Sequence, residues 1–321
     1  MIPLAIAFAV LILIGVPIAF ALGLAGAIGM WAMNLNLITV PTRMFTGIDS
    51  FVLLAAPFYI LAGDLMNRGG ITDRLIRLAQ MIIGRIRGGT AYANITASVF
   101  FAGISGTAIA DTAALGQVFI KGMPKEGYTK EFAAAVTVAS SVIGPIIPPS
   151  VIMVIYAAVS QVSLIQLFLA GIVPGLLLGG ACSLVVFLYA RAGHLPVSIV
   201  TVQRREVPRL ALDGILVLTL PLLIVGGTLS GAFTATEAGG VAVIYAALLS
   251  AFVFRNLDLV GLWDGLKESA RTTATLFLLI AAATVVSYVL TIGGIANYVR
   301  GLGLVFQGQP ELFMLVVMAV L

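Results

Sequence analysis

The stretch "VIGPIIPPSVIM", residues 142–153, lies within an apolar run, 131–160, that is long enough to cross a membrane as one helix, yet it carries Gly144, Pro145, Pro148 and Pro149 near its middle. Proline in a helix interior removes one backbone hydrogen bond and clashes with the preceding turn, at a cost of about 3 kcal/mol or more. In hydrocarbon no water replaces the lost bond, so interrupted backbone survives only where protein buries it or where it lines a cavity. The run therefore reads as a span split into two half-helices, and the rest of the chain has to say what the split is for.

Of the 321 residues, 61% are hydrophobic and 9% are charged, and the mean hydropathy is +1.16. That composition leaves too little polar surface for a soluble globule. Several runs exceed the roughly 20 residues a spanning helix needs, and none alternates as barrel strands do. The expected fold class is an all-α polytopic membrane protein. The first run, 3–33, lacks a basic leader and is too long for a signal-peptide core, so it reads as a retained first span. The single cysteine, Cys182, falls in an apolar segment and reads as a packed thiol. The net charge of +4 comes from short connectors between runs, as topology alone requires, and does not point to nucleic acid.

The further apolar runs are 51–66, 94–120, 164–190, 208–230, 234–254, 272–291 and 311 onward, with amphipathic stretches at 71–86 and 257–270 that read as interfacial helices. If each run crosses once, only 6 of the 17 Lys and Arg lie on the side of segment 68–87. If 94–120 instead enters and leaves on one side, 15 share that side and only Arg43 and Arg300 face the other. The positive-inside rule thus selects a re-entrant hairpin and a cytoplasmic N-terminus. Gly103, Ser105 and Gly106 break this run near its middle, giving arms that are expected to reach about mid-membrane. A weak internal repeat, "LMNRGGITDRLIRLA" (65–79) against "VLTIGGIANYVRGLG" (289–303), falls on opposite sides of this topology and implies inverted repeats. The expected division is 1–93, scaffold spans and an arm helix; 94–160, hairpin and broken helix; 161–310, further scaffold and the start of the second repeat; and 311–321, the opening of a second hairpin where the chain stops.

Paired breaks at mid-depth are the best sequence pointer to a transport site. Orphan carbonyls at 103–106 and 141–145 suit a small hard cation such as Na⁺, and the half-helices restarting near Thr107 and Ser150 favour an anion. Ser105, Thr107 and Ser150 can each be a helix cap or a ligand, and the two roles are compatible. Asp111, an intramembrane carboxylate, reads either as functional or as stabilised by a helix dipole. Thr137, Ser140 and Ser141 read first as bonding their own helix backbone. Asp64 reads as an interface charge, and Glu237 follows a capping Thr234 or Thr236. "GISG" (103–106) fits the nucleophile motif of a rhomboid-type serine protease, but the only histidine, His194, sits in a basic connector, which argues against it. No Gly-Lys pair occurs, so there is no Walker A loop and an ion gradient is the expected driving force.

The segments "FAGISGTAIADTAALG" (101–116), "GYTKEFAAAVTVASSVIGPIIPPS" (127–150), "LFLAGIVPG" (167–175) and "GAFTATEAG" (231–239) closely resemble the large membrane subunit of tripartite ATP-independent periplasmic (TRAP) transporters. The resemblance implies a multi-pass protein of the bacterial inner membrane that imports organic acids, coupled to Na⁺, by an elevator motion of two opposed hairpins. It also implies a small four-helix membrane subunit and a periplasmic substrate-binding protein as partners, besides membrane lipid and the small anionic substrate. On the family pattern Na⁺ would be held by Ser105, Gly106, Thr107, Ser141, Gly144 and Pro145, mainly through backbone carbonyls. Ser105, Thr107 and Ser150 would approach the substrate, with Asp111 and Ser140 as further candidates. Members of the family usually continue well beyond 321 residues. A stand-alone ion-coupled carrier of the same superfamily would share the hairpins but not the binding protein.

Overall fold

A computed structural model describes residues 1–83, 86–197, 207–295, 297, 301 and 309–320. Its regular elements are helices, apart from one isolated bridge between Arg87 and Val197. The chain forms two compact units, Met1–Ser50 with Ala274–Leu321, and Phe51–Thr273.

In the first unit the run 3–33 is not the single span expected from its length. It forms α1, Ile2–Leu13, and α2, Ile18–Ala32, of roughly 18 and 22 Å at 1.5 Å per residue. Gly15 takes a left-handed φ of +83° and Pro17 precedes α2, so the chain turns back. Leu4 then packs on Gly29, at the far end of α2, which makes the pair antiparallel. Leu4, Ala25, Met30, Val285 and Val289 build the core of this unit. α3, Thr39–Ile48, carries Arg43, whose guanidinium lies 4.1 Å from the ring centroid of Tyr288. The described part of this unit ends with a helix at Pro310–Val320. Residues 296, 298–300, 302 and 303 of the second copy of the weak repeat, Arg300 among them, lie outside the described residues.

The second unit is laid out around helices long and apolar enough to cross a membrane; five such helices occur among the described residues. They are a 3₁₀ turn, Phe51–Leu54, running into α4, Ala55–Arg68; α10, Leu164–Arg191; α11, Val207–Leu229; α12, Ala235–Leu248, continued by a π turn to Val253; and α13, Leu259–Ile292. α13 belongs to this unit as far as Thr273. It absorbs 259–270 of the stretch 257–270, which the sequence presented as a separate interfacial helix: after Gly265 no glycine or proline interrupts the helix before Ile292. α5, Ile71–Ile83, is amphipathic as expected, but its apolar side (Ile71, Leu75, Ile76, Ala79) is buried in protein, with Leu78 against Gly214 of α11. α4 and α12 are tied by Tyr59, whose hydroxyl donates to Ala235 O at 2.8 Å, and by Thr236, which donates to Phe51 O at 3.1 Å. Thr234 and Glu237 cap α12 reciprocally.

Candidate functional site

Both predicted breaks are present, and they meet. α6, Gly89–Ser105, and α7, Ala108–Gly122, form a hairpin whose ends lie together, because Thr90 at the start of α6 donates to Glu126 just beyond α7. The arms have 17 and 15 residues, longer than the sequence implied, and reach roughly 25 and 22 Å. α8, Lys130–Ser141, is capped by Thr129; α9, Val151–Ser160, is capped by Ser150. The intervening backbone, 142–149, is irregular, with a cis peptide between Pro148 and Pro149.

At the hairpin tip Gly106 is buried with φ +61°, a conformation that disfavours any side chain. A Cβ there would lie 2.8 Å from Pro149 O and 3.1 Å from Ser150 Cα, so the tip rests directly on the restart of the broken helix. Gly103, one turn earlier, faces Pro221 of α11 at 3.0 Å on the same measure. Asp111, fully buried in the first turn of α7, places its Oδ2 where a Cβ of Gly144 would be, at 2.5 Å. Gly144 is thus glycine because an acidic oxygen of the hairpin occupies its side-chain space.

The broken segment lies along α10. Gly171 faces Ile146 O and Met153, Gly175 faces Ile146 and Ile147, and Gly179 faces Ile143. These contacts run in opposite order along the two chains, so 143–153 descends antiparallel to α10 as one interrupted span and does not fold back. The bonds of the turn end on the carbonyls of Ser140, Ser141 and Ile143, whereas those of Gly144 and Pro145 take none of them.

The predicted side chains divide by role. Thr107 accepts from Ala110 N–H and Ser150 from Met153 N–H, each at 3.3 Å, so both are N-caps. Ser141 donates to Thr137 O at 2.7 Å and Ser140 to the same carbonyl at 3.2 Å, the backbone-bonding role read from the sequence. Ser105 ends α6, but its side chain lies outside the described residues. The structure adds partners the sequence reading missed. Asn94 Nδ2 donates to Thr137 Oγ1 at 2.8 Å and Ser98 to Ser140 Oγ at 2.7 Å, a buried polar ladder fastening α6 to α8. The four-residue spacing of Asn94 and Ser98, and of Gly171, Gly175 and Gly179, was the available signal. Among the described residues no three His, Cys, Asp or Glu side chains converge.

Comparison with known proteins supplies the context for this geometry. The family model described as tripartite ATP-independent periplasmic transporter, DctM component, matches residues 5–321. The sialic acid TRAP transporter large permease protein SiaM of Vibrio cholerae is 37% identical over 96% of this chain and 72% of its own length. The C4-dicarboxylate TRAP transporter large permease protein DctM of Pseudomonas aeruginosa is 39% identical over 94% of the chain and 70% of its own length. An uncharacterised Salmonella typhimurium protein, YgiK, is 38% identical over 88% of the chain and 66% of its own length. The chain therefore spans about two thirds to three quarters of the length of these relatives.

Proposed function

The chain belongs to the DctM-component family of TRAP transporters, a family of multi-pass transporters and not of enzymes, and from that membership we propose that it is the large permease subunit of a Na⁺-coupled importer of organic acids in the inner membrane. The family works with a small membrane subunit and a periplasmic binding protein, and this chain is proposed to do the same. The substrates named for relatives, sialic acid and C4-dicarboxylates, support an organic acid as the proposed class.

The observation that carries the proposal is the seating of Gly106 on Pro149 and Ser150, with Asp111 against Gly144. Two helix N-termini, those of α7 and α9, begin beside this contact, and their free N–H groups and dipoles suit a carboxylate. Carbonyls of Ser105, Gly106, Gly144 and Pro145 are the proposed Na⁺ donors, with Thr107 and Ser141 beside them. Charge balance explains coupling: an anion at the helix N-termini raises the affinity for a cation at the carbonyls a short distance away, and the reverse holds equally. The hairpin and the broken helix are proposed to move as one body in an elevator cycle, because Asn94–Thr137 and Ser98–Ser140 bind them together.

The α1–α2 hairpin bears on orientation. A chain that turns back between α1 and α2 returns to the side it left, so with Arg43 facing outward the N-terminus is proposed to be periplasmic and not cytoplasmic as the charge count with a single first span gave.

The test is thermal unfolding of the purified chain with its small subunit in NaCl against KCl at equal ionic strength. Sodium at 100 times its Kd is expected to add roughly 2.7 kcal/mol of apparent stability. Equal stability in the two salts removes sodium from the reading. Uptake into proteoliposomes that requires both a Na⁺ gradient and the binding protein separates a TRAP importer from a stand-alone carrier.

A further inference from the structure

Away from the paired breaks, α5, α11 and the turn following α12 enclose a cleft of about 380 Å³, lined by Asp73, Arg74, Arg77, Arg209, Asp213 and Asn256. Its three arginines are in different states. Arg74 is committed to the protein: its Nε lies 3.4 Å from Asp213 Oδ2, its Nη1 donates to Gly70 O at 2.8 Å, and its guanidinium stacks 3.8 Å from the ring centroid of Phe254. Arg77 and Arg209 are exposed, and among the described residues neither has a carboxylate within ion-pair distance. Two guanidiniums from two different helices, without an ion-pair partner among the described residues, thus face one cleft; of its two carboxylates Asp213 is engaged by Arg74, and Asp73 is exposed and pairs with neither arginine. Such forked donors match the oxygens of a phosphate.

Position decides which phosphate. Arg209 lies in the first turn of α11, at the end of a helix apolar enough to cross the bilayer. From it an apolar face runs along the same helix, with Leu212 58%, Ile215 63% and Leu222 71% exposed. Side chains of this kind on a spanning helix are solvated by acyl chains, and the arginine at their end sits at headgroup depth. Basic clefts between helices on the cytoplasmic side are suited to anionic headgroups.

We propose that this cleft binds the phosphodiester headgroup of an anionic phospholipid, gripped by Arg77 and Arg209, with its acyl chains along Leu212 and Ile215. A soluble phosphoryl compound shares the headgroup chemistry but gains nothing from the apolar face, and the experiment separates the two. Purified wild type, R77Q and R209Q in neutral detergent are titrated with phosphatidylglycerol, phosphatidylcholine and inorganic phosphate, with bound lipid read by native mass spectrometry and stability by thermal unfolding. The expected result is phosphatidylglycerol retention and a raised Tm in wild type, about tenfold weaker in either variant, with little effect of phosphatidylcholine or free phosphate. Lipid-free Tm is expected to be unchanged in both variants, because each side chain is exposed and has no ion-pair partner among the described residues. R77K, which keeps the charge but loses the fork, is expected to fall between wild type and R77Q. Equal phosphatidylglycerol retention by wild type and both variants, or equal protection by phosphatidylcholine, overturns the proposal. Protection by inorganic phosphate alone that matches the lipid also overturns it, in favour of a soluble ligand.

Discussion

Two apolar runs of this chain, 3–33 and 131–160, are each broken near the middle by glycine and proline, "GVP" at 15–17 and "GPIIPPS" at 144–150, yet they do opposite things. The first break is a surface turn: Gly15 has no neighbour within 4 Å of its side-chain position, Leu13 and Ile14 are exposed, and the half-helices fold back on each other. The second is enclosed. Gly144, Pro148, Pro149 and Ser150 are buried, Asp111 fills the space beside Gly144, and α10 runs past the whole segment with glycines facing it. A broken helix becomes a candidate site when another element presents polar groups to the exposed backbone; otherwise it is only a corner.

This comparison can be broken most directly at its glycines. Gly144→Ala drives a methyl group into Asp111 Oδ2 and, at 3.2 Å, towards Ser141 O. Overpacking of this kind costs about 1–3 kcal/mol, and uptake into proteoliposomes is expected to fall on the order of tenfold or more, since about 1.4 kcal/mol is a factor of ten. Gly106→Ala meets Pro149 O and an unfavourable φ together and is expected to behave alike. Gly15→Ala carries only the backbone penalty of about 1 kcal/mol, so it should lower Tm slightly and leave uptake unchanged. If Gly15→Ala and Gly144→Ala lose uptake equally, the distinction between corner and site fails.

Asp111→Asn keeps the shape beside Gly144 and removes the charge. Its expected effect is loss of most of the NaCl-over-KCl stabilisation with the KCl baseline retained, read from the same unfolding curves. An unchanged sodium increment would confine Asp111 to packing and helix-dipole support.

A smaller effect is expected at Ser150. Ser150→Ala removes the cap of α9, worth about 1 kcal/mol, and should lower Tm in either salt; an additional rise in the substrate KM would show that the hydroxyl also meets the anion. The smallest effect is expected in the ladder between α6 and α8. Asn94→Ala and Ser98→Ala each remove an interhelical hydrogen bond, which inside membranes averages about 0.6 kcal/mol. Additive small losses in Tm with normal uptake would mark the ladder as a fastener, whereas loss of uptake at unchanged Tm would place Asn94 or Ser98 in the transport cycle.

Much of the fold and of the candidate site was legible because hydrocarbon imposes strict rules on sequence. Apolar run lengths marked most of the helices, the distribution of Lys and Arg required a hairpin at 94–120, and Pro145, Pro148 and Pro149 could not lie in a continuous helix. Less legible were features set by contacts between elements. Gly15 and Pro17 marked a break within 3–33 that the length of the run outweighed, and they did not say whether the halves fold back; 257–270 looked amphipathic because its polar residues were read apart from the apolar helix they continue. Asn94 and Ser98 have a four-residue spacing that places them on one helix face, but what they bond to was decided only by α8 lying beside α6.

By itself the sequence determined that the chain is a membrane protein, that its backbone breaks near 103–106 and 144–149, and which residues flank those breaks, because each follows from composition or from the covalent geometry of proline and glycine. Only the tertiary structure decided that Gly106 sits on Pro149 and Ser150, that Asp111 stands against Gly144, and that the break at Gly15 is an open turn. The reason is physical: a glycine or proline states that a regular helix cannot continue, but what fills the space beside it depends on residues distant in the chain, brought there by packing that no single segment encodes.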